Sequence, residues 1–190
     1  MNLNFEVPLI LLKSALVCAA KNDIRFYLNG VAIDQGHIVA TDGHRMFYAP
    51  LESVKELPQI IIPREAIEFI AKKTTGIGKK DPEKVNIKIH INGNKGTLNV
   101  LDCTESFTLI DGKFPEWKRI IPKSAMQKYE GQTLMFNWQY MADFQKIAKL
   151  LGCKHSGVEL SPSSINTQAA IIDFLHPYFP CNGVLMPMRR

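Results

Sequence analysis

Hydrophobic and polar positions alternate along residues 85–91, where Val85, Ile87, Ile89 and Ile91 interleave with Asn86, Lys88 and His90. A period of two predicts a half-buried strand. Residues 8–20 read differently. Leu9, Leu12, Leu16 and Ala19 fall at helical spacing, the stretch is apolar on most sides, and Pro8 occupies a helix start, where proline is tolerated. Over the whole chain the pattern repeats at roughly 60 residues as strand, helix and three strands, a βαβββ unit.

The first unit opens with "LNFEV", continues through the 8–20 helix, and ends in the strands "RFYLNGVAI", "HIVAT" and "HRMFYAP". The second opens with "PQIII". Pro63 heads a helix running to about Lys73, with Gly76 just beyond it, and "KVNIKIHI", "KGTLNVL" and "ESFTLI" follow as strands. The third opens at "QTLMF", caps the helix "WQYMADFQKIAKLL" with Asn137 and closes it at Gly152; "GVEL", "INTQAAII" and "GVLMPM" are its strands. Two units paired into one larger sheet, with two helices on one face, make an α+β domain. Residues 1–122 supply such a pair, which leaves the third unit, residues 123–190, as a half domain without a partner in the chain.

Asp42-Gly43 between "HIVAT" and "HRMFYAP" is the signature of a type I′ two-residue hairpin. Counting outward pairs Thr41 with His44, Val39 with Met46 and His37 with Tyr48. Thr41, Val39, His44 and Met46 then share one face, an apolar floor beside a polar rim. Small grooves of that kind take extended peptides through a few apolar anchors. On the hairpin alone, plain core and plain surface remain the simpler explanation.

Composition narrows the classes. With 46% hydrophobic and 22% charged residues the chain reads as globular, and no apolar run approaches the roughly 20 residues a membrane span needs. The N-terminus lacks a basic region ahead of its apolar stretch and makes a poor signal peptide. Cys18, Cys103, Cys153 and Cys181 show no CxxC spacing, which fits a reducing cytoplasm. The net charge of +5, with lysines grouped at 72–73 and 79–80 and with Lys113, Lys118, Arg119 and Lys123, permits a polyanionic partner such as nucleic acid. Neither GxGxxG, GxxxxGK[ST], GxSxG nor HExxH occurs, and the five histidines lack metal-ligand spacing. His37 and His44 flank one hairpin without a third ligand, and Asp in a DG turn more often satisfies its own backbone than serves as an acid or base. No catalytic residue, cofactor or metal is expected.

"DIRFYLNG", "VATDGHRM", "IIIPREAIEFI", "DGKFPEWKRIIPK" and "VLMPMR" occur in that order, and each resembles a segment of the bacterial DNA polymerase III beta subunit, the sliding clamp. The resemblance is strong over residues 20–123 and the last seven or so, and rests on element order between them. It implies the DNA clamp fold, with one complete clamp domain like the family's middle domain (1–122) and a half domain like the second half of its last (123–190). The chain is basic, whereas most family members are acidic.

Carried over motif by motif, the resemblance implies a pocket for partner peptides. Arg25, Leu28, Thr41, Gly43, His44, Arg45 and Met46 form one wall; Pro115, Arg119 and Ile120 come from the interdomain segment; Val184, Leu185, Met186, Pro187, Met188 and Arg189 come from the C-terminal end. Two more pocket positions fall near Ser164 to Asn166. Arg190, in place of an apolar end residue, and "HPYFPCNG", an apparent insertion, alter the pocket's surroundings. Non-specific phosphate contacts to duplex DNA map to Asn22, Phe26, Tyr27, Arg64, Lys72 and Lys73, with Phe26 where a tyrosine is usual.

Three readings follow. The first is a truncated clamp-like processivity protein of the bacterial cytoplasm that binds peptides of polymerases and the clamp loader, together with double-stranded DNA. It would be a homodimer through its half domain, with a tetrameric ring as a further expectation. The second is a regulator that competes for clamp partners or inserts into a normal clamp. The third, a small metal-dependent or acid–base enzyme, has the weakest support.

Overall fold

Pro8 ends strand β1 (Asn2–Pro8) and opens helix α1 (Leu9–Cys18), which leads to β2 (Gly30–Asp34), β3 (His37–Thr41) and β4 (Arg45–Pro50). The second unit repeats the order as β5 (Ile60–Pro63), α2 (Arg64–Lys73), β6 (Asn86–Asn92), β7 (Lys95–Val100) and β8 (Cys103–Thr108). The third supplies α3 (Trp138–Leu151), β9 (Glu159–Ser161), β10 (Ala170–Asp173) and β11 (Asn182–Leu185). This computed structural model describes residues 1–77, 84–122, 134–153, 159–161, 169–176 and 178–188. Lys79, Lys80, Lys123, Ser164 to Asn166, Arg189 and Arg190 lie outside them. The caps of α3 are those the sequence predicts: Asn137 accepts the Gln139 N–H at 2.8 Å, and Gly152 takes the left-handed φ of +72° that ends the helix.

The strands form two sheets rather than one larger one, ordered β1-β6-β7-β8 and β5-β2-β3-β4-β11-β10-β9. The first two units exchange their opening strands. β1 runs antiparallel to β6 of the second unit, and β5 antiparallel to β2 of the first. Alternation along a strand sets which face is buried and is silent on which strand lies alongside, so the exchange is invisible in one sequence. The expected strand at 25–33 is divided: Phe26–Leu28 form a 3-10 turn before β2 begins. Residues 134–136 of "QTLMF" carry no strand pairing, although the Met135 carbonyl accepts the Met188 N–H at 2.8 Å.

The third unit attaches to the first through its last strand. β11 extends the first unit's sheet by pairing with β4, setting Val184 opposite Met46 and Leu185 opposite Arg45. α1 lies between α2 and α3, which accounts for its being apolar on most sides: Leu9, Leu11, Leu12, Ala15 and Cys18 are all buried. The seven-stranded sheet is covered on both faces. Ile38, Ala40, Phe47 and Leu185 join the core under the helices, while Val39, Met46 and Val184 join a smaller cluster on the other face with Leu28, Phe114 and Trp117. The third unit docks closely. A Cβ on Gly183 would come within 2.5 Å of the Phe144 ring of α3. Gly183→Ala therefore forces Phe144 or β11 to move and costs about 1–3 kcal/mol, read as a lower urea midpoint.

Candidate functional site

The loop between β3 and β4 is set by side chains. Thr41 pairs with Met46, Val39 with Tyr48 and His37 with Pro50, a register two residues away from the two-residue turn expected of Asp42-Gly43. Gly43 has φ +91°, whereas Asp42 is not among the residues with positive φ, so the turn is not type I′. Instead the Asp42 carboxylate accepts the N–H groups of His44 (2.9 Å) and Arg45 (3.1 Å), and the Thr41 hydroxyl accepts from Gly43 and donates to the Arg45 carbonyl at 2.7 Å. Short polar side chains bonded to nearby backbone compete with the tight turn and hold a wider loop. As a result Thr41, Val39 and Met46 share a face, and His44 stands at the loop.

That loop meets three other segments. The Arg25 guanidinium pairs with Asp23 and donates to the Asp42 carbonyl at 3.0 Å; its hydrogen bonds hold the Asp23 carboxyl down at about 2. The His44 carbonyl accepts the Met186 N–H at 3.0 Å, tying the C-terminal segment to the loop. From α3, the Tyr140 ring stacks on His44 with centroids 6.0 Å apart, and the Arg45 guanidinium lies 4.7 Å above the same ring. Arg45 pairs with both Asp42 and Asp143. Burial acts to raise the Asp143 carboxyl, and the hydrogen bonds from Lys146 and Arg45 outweigh it, leaving Asp143 below the usual carboxylate range.

Around this junction lies a surface with an apolar base and a mixed rim. Leu28, Thr41, Met46 and Val184 are buried in its base, with Met186 packed partly against them. The 109–121 segment closes one side. Phe114 and Trp117 are buried, and the indole N–H of Trp117 donates to Asp34 at 2.9 Å; this leaves Pro115, Arg119 and Ile120 exposed beside it. Gly43, His44 and Met188 are exposed and Pro187 is half-buried. Of the described residues inferred for the pocket, those of the 41–46 loop and the 184–186 segment meet at this junction, and Leu185 diverges. Leu185 turns to the opposite face and is buried under the helices.

The DNA-directed residues are more dispersed. Asn22 sits in the 19–25 loop with a left-handed φ of +56°, and exposed Phe26 packs edge-on to Tyr27 at 5.7 Å. Lys72 and Lys73 are exposed in the last turn of α2. Arg64 is engaged: its guanidinium donates to the Leu16 and Ala19 carbonyls at the end of α1 and pairs with Glu68. It also borders a polar cleft of about 360 Å³ shared with Arg25, Asp42, His44, Arg45 and Tyr140. Tyr140 and Asp143 were missed from the sequence. The signal available was a polar pair three residues apart on the otherwise apolar face that carries Phe144 and Ile147. Among the described residues no group of three or more His, Cys, Asp or Glu is arranged to hold a metal.

Helix-backed βαβββ units, the first two of which exchange opening strands while the last strand of the third joins the sheet of the first, define a DNA-clamp scaffold. Residues 9–116, more than half of the chain, match the family model "DNA polymerase III beta subunit, central domain". The chain is 31% identical over 153 residues to the beta sliding clamp of Pseudomonas putida and 30% identical over 155 residues to that of Pseudomonas aeruginosa. These matches take in 74% and 76% of the chain but 38% and 39% of the relatives, so the chain spans well under half of the curated relatives it matches. A crystal structure of the Pseudomonas aeruginosa DNA polymerase sliding clamp with ligand superposes with a TM-score of 0.71 at 22% identity, covering 99% of this chain and 66% of that one. The chain belongs to the DNA polymerase III beta subunit family, the bacterial sliding clamps, which are non-enzymatic processivity scaffolds of DNA replication.

Proposed function

We propose that the chain is a sliding-clamp protein in which a groove between the first and third units binds clamp-interacting peptides of DNA polymerases and of the clamp loader. The observation that carries this is the pairing of β4 with β11. It brings Met46 and Val184 side by side and ties Met186 to His44, so segments far apart in sequence meet at one junction. Methionines suit a site that accepts varied peptides, because their side chains are flexible and polarizable. Fluorescence anisotropy of a labelled consensus clamp-binding peptide tests the reading. Saturable binding of roughly micromolar affinity is expected of a few apolar anchors, and a failure of unlabelled peptide to compete would remove the support.

The division into a complete domain over 1–122 and a half domain over 123–190 is part of the same proposal, as is a place in the bacterial cytoplasm. No helix among the described residues is long and apolar enough to cross a membrane. Contact with duplex DNA is non-specific and runs through phosphates, with Lys72, Lys73 and Asn22 as the exposed contributors. Replacing Lys72 and Lys73 together by Ala is expected to weaken binding to linear duplex and to flatten the plot of log affinity against log salt by about 1.8, near 0.9 for each phosphate no longer neutralised. A sequence-specific footprint would contradict it. A second reading is a regulator that occupies clamp partners without a ring of its own. Mass in solution with circular and with linear DNA separates the two.

A further inference from the structure

The first two units are related by reciprocal contacts. The opening strand of each pairs with the first strand after the helix of the other, as β1 with β6 and β5 with β2. The first N–H of each helix also crosses over: Leu9 donates to the Val85 carbonyl at 2.9 Å, and Arg64 donates to the Asn29 carbonyl at 3.0 Å. Both accepting residues directly precede the sister's strand. On its other side each opening strand meets the segment that follows its own unit's last strand, through the Ser53 hydroxyl to the Glu6 carbonyl and the Ile110 N–H to the Ile61 carbonyl.

The third unit repeats half of this arrangement. The Met188 N–H donates to the Met135 carbonyl, so the opening segment is held by its own C-terminal segment as in the other units. The crossed contacts are absent among the described residues. There, β9, the first strand after α3, has β10 on one side and no strand on the other. The N–H of Trp138, the first residue of α3, has no acceptor among the described residues, and its side chain is 87% exposed. At the equivalent position Leu9 is 2% exposed. Residues 121–133, between the second and third units, are far too few to hold a sister unit of roughly 60 residues.

We infer that the third unit takes as its sister the third unit of a second copy of this chain, with residues 134–136 of each copy adding to the open edge of β9 of the other. This rests on the reading that the chain carries half of a third clamp domain, and it names the surface that completes that half. An unpaired edge is a template for strand addition, and the contact is self-complementary, as twofold symmetry requires. The occupant is argued from continuity with the interface between the first two units, where the same exchange is already made.

Two measurements on the full chain test this together. Light scattering from sub-micromolar to tens of micromolar should show the mass rising from 21.4 kDa to twice that value. Over the same range iodide quenching should fall several-fold, because of the two tryptophans Trp117 is already buried and Trp138 becomes covered. The Met135 carbonyl faces the C-terminal segment, so in an extended run the N–H of Leu134 faces the open edge. Leu134→Pro should then leave a monomer with Trp138 quenched at every concentration and with peptide affinity unchanged. A monomer throughout the range, or a dimer whose Trp138 stays open to iodide, overturns the inference. Peptide binding in either case leaves the groove reading standing, and its loss with the dimer intact counts against the groove alone.

Discussion

A chain ending at Leu185 is expected to bind clamp-interacting peptide at least a hundredfold more weakly than the full chain, a loss of about 2.7 kcal/mol or more. The segment removed carries Met186, which packs against the cluster of Leu28, Met46 and Val184, and the exposed Met188 beyond it. Without it one side of the groove is open to water, and the remaining anchors lie flush in a sheet face with nothing to enclose a side chain. Both sheets persist, since β11 ends at Leu185 and keeps its pairing with β4 and β10. Titration of labelled peptide reads the loss, and far-ultraviolet circular dichroism of the shortened chain should remain that of the full chain. Unchanged affinity would show that the peptide binds elsewhere.

The second large effect is expected at Arg45. Its guanidinium joins Asp42 of the loop to Asp143 of α3 and covers the Tyr140 ring, so one side chain links the first unit to the third. Arg45→Ala leaves two partly buried carboxylates without their cation and is expected to cost about 2–4 kcal/mol, more than an exposed pair would. The effect should appear both in the urea midpoint and in peptide affinity, because the loop carrying His44 relaxes. Asp143→Asn should cost less, since Arg45 keeps Asp42. The pH dependence follows from the sign of the shift. Asp143 is held below its unfolded value, so its contribution is complete above the ordinary carboxylate range and is lost as pH falls through the folded value. The wild-type midpoint should therefore fall in acid more than that of Asp143→Asn. Parallel curves would remove Asp143 from the linkage.

Much of the fold was legible because particular residues carry local rules. Ile87, Ile89 and Ile91 announce β6 by alternation, and Asn137 and Gly152 mark the ends of α3 by capping. The uniform apolarity of α1 reflects cover from both α2 and α3. What stayed hidden depends on competition or on distance. Asp42-Gly43 names a tight turn, yet the hydrogen bonds of Thr41 and Asp42 select the wider loop. Strand exchange and the pairing of β4 with β11 are choices of neighbour, which alternation does not encode. At the candidate site, the TDGHR and MPMR motifs lie on the two segments that the pairing of β4 with β11 brings together, while Tyr140 and Asp143 lie on a helix whose periodicity reads as ordinary core.

The groove is composite, and methionines mark its parts, so the most direct test is a methyl spectrum of the chain labelled at methionine during a titration with the consensus peptide. The signals of Met46, Met186 and Met188 should move together and saturate at one peptide per chain. That of Met1, whose carbonyl is bonded to Gly93 beyond the other sheet, should not move. Saturation with those three signals unmoved, or with shifts confined to Met1 and its surroundings, would contradict a peptide-binding groove at this junction.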